Sequence, residues 1–274
     1  TNNRHRIDVV GAGPGGVRAA IGLAQAGHSV VLVERNDRIG GQLLFASRVG
    51  DFDRFLDYAE ERLRDSSIEM LLATEADIPF LYEINADTIV VASGARGAPR
   101  SYDVVGDVET HDLFSAPLSM PEKWSGKVVI AGGDAVSCAA AVQLAHPGLA
   151  VVIIEPGDGL ANDREPPGRA HLLRLLSAKE EIEVRLETTV ESVGPGYVQL
   201  QSRGDYEDLE EVSYVVTGGR QADNRLAEEL RASGHPSVLT IGDAVYPRNL
   251  HAASLDAFRA SALIGSDRAA VALS

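Results

Sequence analysis

Cysteine occurs once in these 274 residues, at Cys138. A single thiol cannot form an internal disulfide, a Cys-x-x-Cys redox pair or an all-cysteine iron–sulfur cluster. Long apolar runs are missing too. No stretch reaches the ~18 residues needed to cross a bilayer, so no membrane span is expected. Positive charge is scarce: 25 Lys and Arg stand against 40 Asp and Glu, a net charge of −15. That balance repels phosphate backbones and argues against a nucleic-acid partner. It reads most simply as a solvated surface, and an acidic face could also dock a basic protein. The seven histidines show no metal-ligand spacing, so no metal is expected, and no G-x-S-x-G elbow marks a nucleophilic serine. No secretory segment precedes the first strand, which makes the cytoplasm the expected compartment. A start at Thr1 rather than methionine reads as that of a processed or excised piece.

What remains is the profile of a soluble globular protein, 45% apolar and 24% charged, long enough for one large domain or two ordinary ones. Its most informative stretch is IDVVGAGPGGVRAAIGLAQAGHSVVLVER, residues 7–35. Ile7 to Val10 predicts a buried strand, Val17 to Gln25 a helix, and Val30 to Val33 a second strand. Between the first two elements Gly11, Gly13 and Gly16 have G-x-G-x-x-G spacing. Gly11 permits the tight turn, Gly13 lets the backbone approach a pyrophosphate, and Gly16 lets helix and strand pack closely. The helix start then offers unpaired N–H groups to the anion. Glu34 ends the second strand 21 residues after Gly13, where a carboxylate can accept from ribose hydroxyls. The segment Gly11, Gly13, Pro14, Gly15 and Gly16, with Glu34, is therefore a candidate dinucleotide site.

Arg35 follows, and then Gly40-Gly41-Gln42-Leu43. The pattern E-R-x-x-x-x-G-G-Q-L after a ribose-binding acid resembles the two-dinucleotide flavoproteins. More narrowly, the chain resembles the C-terminal nucleotide-binding half of the trimethylamine dehydrogenase / 2,4-dienoyl-CoA reductase family. Thr88 to Ala95 resembles the strand and turn that this family places beside FAD, which adds Ala92, Ser93 and Gly94 to the candidates. Thr240 to Ala244, with Pro247-Arg248, resembles its late G-D motif. The resemblance implies that Gly242 and Asp243 lie at the ribityl chain, and Arg248 is a candidate phosphate ligand. It implies FAD as cofactor, although the glycine motif by itself recognises only an ADP portion and leaves ADP alone possible.

A second copy of the plan lies inside the first. Val128 to Ala131 predicts a strand, residues 139–145 its helix, and Val151 to Glu155 the next strand. Three short strands follow at 182–186, 189–193 and 196–201, and Val215 to Gly218 repeats the pattern of residues 90–94. The expected fold is α/β, with two Rossmann-like domains, the second inserted in the first. The outer domain is expected over 1–112 and 222–274, and the insert over 113–221. The second loop, VVIAGGDAVSCAAAVQLA, lacks the full set of glycines in either register. The three positions are Ala131, Gly133 and Val136, or else Gly132, Asp134 and Ser137. The expectation is a retained fold whose nucleotide site has decayed, so that NAD(P) binding is doubtful. Glu155 would favour NAD over NADP if a site remained.

Other residues invite less. Cys138 is expected to be a small buried residue and His251 a polar residue on a helix turn. The acidic runs 75–77 and 205–211 are expected to be solvated loops. No catalytic residue is assigned. In the family a (β/α)₈ barrel with FMN and an iron–sulfur cluster precedes this half and carries substrate chemistry. The resemblance thus implies an oxidoreductase module that relays electrons with such a barrel domain or other subunits. A stand-alone NAD(P)H-dependent flavin reductase and a purely structural nucleotide-binding module remain as alternatives.

Overall fold

The computed structural model describes residues 4–46, 53–64, 66–113 and 124–264. The extremes of the outer domain's two expected segments, residues 1–3 and 265–274, lie outside the described residues. The chain divides into two compact units. One joins Thr1–Ala95 to Ala222–Ser274, and the other is Arg96–Gln221.

In the outer unit, short runs at residues 7–10, 30–33 and 88–91, rich in β-branched side chains, form the buried centre of a parallel sheet. From edge to edge its five strands are Val238–Thr240, Thr88–Val91, Arg6–Val10, Ser29–Val33 and Glu69–Leu71. Ile7, Val9 and Leu32 share one core with Val17, Ala20 and Leu23 of the helix Pro14–Gln25, and with Ala257 and Ala260 of the helix Leu250–Ile264. Val10, Ile89 and Val91 share a second core with Leu81, Ala227 and Leu230. The two helices of the first core approach closely because Gly22 has no side chain. A Cβ there would lie 2.7 Å from Ser261 Oγ. The first helix begins at Pro14 rather than Val17, since proline is pre-set for the first helical position and Gly13 precedes it as N-cap.

The inserted unit has its own parallel sheet, ordered Ile182–Arg185, Leu149–Ile154, Gly126–Ala131, Tyr214–Thr217 and Thr110–Asp112. A second sheet is formed by Asp205–Glu210, Tyr197–Ser202, Thr188–Gly194 and Asp103–Val104. Thr110–Asp112 pairs with Val215–Thr217, and Asp103–Val104 with Ser192 and Val193. Residues 103–112 thus supply strands to this unit's sheets. Residues 205–210, expected to be loop, are an edge strand. Ser202 and Asp205 pair across Arg203 and Gly204, whose φ values of +52° and +93° suit a two-residue hairpin turn. Pairing is main-chain, so four exposed residues from Asp205 to Asp208 are tolerated, and only Leu209 of this strand is buried. The helix expected over 139–145 runs over Ala135–Leu144, because Asp134 caps it. Among the described residues no helix is long and apolar enough to cross a membrane.

Candidate functional site

The first loop is shaped by what its glycines allow. Gly11 has φ +101°, and a Cβ on it would lie 2.4 Å from the Ala92 carbonyl oxygen. A Cβ on Gly16 would lie 1.8 Å from the Gly11 carbonyl oxygen, so the helix approaches the strand at a distance that only glycine permits. Gly13 differs: a Cβ there would meet no protein atom within 4 Å. No side chain caps the helix that starts at Pro14. A space beside free N–H groups at the positive end of a helix suits an anion. Glu34 is buried and held in place. Its Oε2 accepts from Ala12 N at 2.7 Å, and its Oε1 from Asn36 N at 2.9 Å and Asn36 Nδ2 at 2.6 Å. A carboxylate has about four acceptor directions, so Oε2 keeps one to offer.

The other sequence-derived candidates gather around this loop through a chain of near contacts. A Cβ on Gly41 would lie 3.1 Å from Gly13 Cα, and one on Gly94 3.9 Å from Gln42 Nε2. Gly15 and Gly242 both back onto Ala253, at 3.8 Å and 3.6 Å from its Cβ by the same measure. Ser93 Oγ donates to the Asp223 carbonyl at 2.5 Å, which fixes the turn. Asp243 accepts from Arg248 N at 3.0 Å, while the Arg248 guanidinium pairs with Asp256. Arg35 is exposed. Two residues escaped sequence reading. Asn36 orients Glu34. Asp256, which also accepts from Gly242 N at 3.3 Å, ties Arg248 to the late turn. The spacing of Asp256 from Arg248, eight residues along a turn and helix, was the only signal for it.

The second loop settles its own register. Gly132 has φ +126° and donates to the Ile154 carbonyl at 2.8 Å, as Gly11 donates to Val33 at 2.8 Å. Gly133 N donates to Glu155 Oε2 at 2.7 Å, the counterpart of the Ala12–Glu34 bond. The three motif positions are therefore Gly132, Asp134 and Ser137. Asp134 caps its own helix, accepting from Ser137 N at 2.8 Å. Cys138 is fully buried, and burial with Asp134 and Asp163 nearby pushes its thiol up to about 12, so it is no nucleophile at neutral pH. His251 is exposed on the last helix. Among the described residues no group of three or more His, Cys, Asp or Glu could hold a metal ion.

The profile of the family described as pyridine nucleotide-disulphide oxidoreductase matches residues 5–254. The chain belongs to that family. The chain is 29% identical to an NADH oxidase of Thermoanaerobacter brockii over 253 residues, 88% of the chain but 38% of that relative. A 2-naphthoyl-CoA reductase structure has the same fold at TM-score 0.83 and 24% identity, covering 94% of the chain and 40% of its own. Thioredoxin reductase of Lactococcus lactis gives a TM-score of 0.69 at 14% identity, covering 94% of the chain and 97% of its own. The chain thus has the two-dinucleotide fold and belongs to an oxidoreductase family, and it spans under half the length of the curated relatives it matches. A site for ADP alone finds no support in these likenesses.

Proposed function

We propose that the chain is the FAD-binding module or subunit of a larger flavoenzyme of the amine dehydrogenase or enoate reductase type, relaying electrons with partner chains or domains. The observation that carries this reading is the open space at Gly13, beside an uncapped helix start and a pre-oriented Glu34. Gly13 and the helix start would take the pyrophosphate, and the spare acceptor of Glu34 a ribose hydroxyl. Gly41 would pass over the cofactor next to Gly13, with Gln42 and Gly94 beyond it. Asp243, in a turn braced by Asp256, would face the sugar chain. FAD, when bound, supplies a ring that exchanges electrons singly or as hydride. An FMN barrel with an iron–sulfur cluster is the partner this reading requires, since one cysteine cannot ligate a cluster and the relatives are more than twice as long.

A second reading, a stand-alone NAD(P)H-dependent reductase, draws on Glu155, which is held as Glu34 is. The purified chain should show flavin absorption that survives gel filtration. Gly13→Val, whose Cβ meets no protein atom within 4 Å, should stay folded by circular dichroism yet lose that absorption. Unchanged flavin content in the folded variant would overturn the proposal. Rapid bleaching by micromolar NADH or NADPH under anaerobic conditions would favour the second reading.

A further inference from the structure

The two loops are copies, and their hydrogen bonds identify equivalent positions. Gly40 N donates to Ala12 O at 2.8 Å, and Ala161 N to Gly133 O at 2.7 Å, across the same 28-residue interval. Ala92 N donates to Val10 O at 2.8 Å, and Gly218 N to Ala131 O at 2.7 Å. Counting on from these bonds, Gly13 corresponds to Asp134, Gln42 to Asp163, and Gly94 to Arg220. In the outer unit Gly41, the neighbour of Gln42, lies beside Gly13, and Gly94 lies beside Gln42. In the insert the three equivalent positions are joined to one another. Arg220 Nη2 lies 2.7 Å from Asp163 Oδ2, and Arg220 Nε lies 3.5 Å from Asp134 Oδ2. The Arg220 side chain is 8% exposed. Asp163 Oδ1 accepts from Ala135 N at 2.8 Å, so both carboxylates occupy helix-start N–H groups that a pyrophosphate would use.

From this we infer that Asp163 is a built-in anion standing where the phosphate of a second dinucleotide would bind, clamped there by Arg220 and the Ala135 N–H. The triad acts in two ways. It fills the helix N-terminus with the chain's own negative charge. It also consumes a buried guanidinium that could have held a phosphate bidentately. The two acids and one base leave the loop with a net negative charge, which repels a dinucleotide. This inference concerns the insert alone and stands whether or not the outer unit takes FAD.

The test uses the full chain carrying Gly13→Val, so that the outer loop is closed whatever it binds. NADH binding is followed by fluorescence and calorimetry, and inorganic pyrophosphate by thermal shift. The Gly13→Val chain should bind neither at millimolar concentration. Adding Asp163→Asn keeps an oxygen to accept from Ala135 N while removing the charge and freeing Arg220. This variant should gain at least roughly tenfold in affinity for pyrophosphate, about 1.4 kcal/mol. Asp134→Gly together with Asp163→Asn should gain more, and should extend the gain to NADH. Arg220→Gln should lower Tm without any gain in binding. Micromolar NADH binding with the triad intact, lost on Arg220→Gln, would make Arg220 a ligand for the nucleotide and overturn the inference. So would an Asp163→Asn chain that melts cooperatively and gains nothing.

Discussion

Asp8 lies in the middle strand of the outer sheet, wholly buried, with neither carboxyl oxygen hydrogen-bonded. It is in register with Val31 on one side and Ile89 on the other, and strand alternation puts it on the face of Val10. Burial raises its pKa from 3.8 to about 6; Arg6 opposes the rise and Glu69 adds to it. The folded state therefore favours the protonated acid. That stabilisation is complete below the unfolded value and is lost as pH rises through about 6, a difference on the order of 3 kcal/mol. Asp8→Asn should accordingly be more stable than the wild type at pH 7–8 by up to about 3 kcal/mol, and the advantage should shrink towards pH 4. Urea titrations of both chains across this range check it; a pH-independent difference would show that Asp8 does not titrate in the fold. Other single residues were plain in the sequence. Gly11, Gly13, Gly16 and Glu34 sit at offsets that one strand–turn–helix dictates locally. Asp163 and Arg220 were not legible, because their partnership spans 57 residues and only the folded insert brings them together.

At the scale of elements, apolar run length carried most of the information. Val128–Ala131 and Leu149–Ile154 were readable because parallel strands are apolar on both faces. The strand at 205–210 was hidden by the opposite circumstance, since a sheet-edge strand needs main-chain partners and only Leu209 turns inward. The seam between the first and last helices was also beyond reading. Gly22 and Ser261 are remote in sequence, and a helical glycine alone names no partner. That seam makes a specific prediction. Gly22→Val should destabilise by about 1–3 kcal/mol through overpacking. Ser261→Gly in the same chain should recover part of the loss, beyond what the single changes give additively. A double-mutant cycle by urea denaturation measures the coupling, and strict additivity would mean that the helices do not meet at Gly22.

For the molecule as a whole, the consequential feature is that the outer unit is built from both ends of the described chain, while residues 96–221 form the insert. The strand Val238–Thr240 completes the sheet beside Thr88–Val91, and the helix Leu250–Ile264 covers the helix Pro14–Gln25. A chain released after residue 221 should therefore show proteolytic protection in the insert and little in the outer strands, and extending it to residue 264 should protect both. Equal protection of the outer strands at the two lengths would contradict this. On a ribosome the N-terminal half emerges first, so the glycine loop is made early but waits, uncovered, while the entire insert is synthesised. Ala253, which backs Gly15 and Gly242, is made only after the insert. Any dinucleotide carried at Gly13 is thus acquired only after residues 96–221 have been made, and cellular cofactor supply acts on a chain that already holds its second unit.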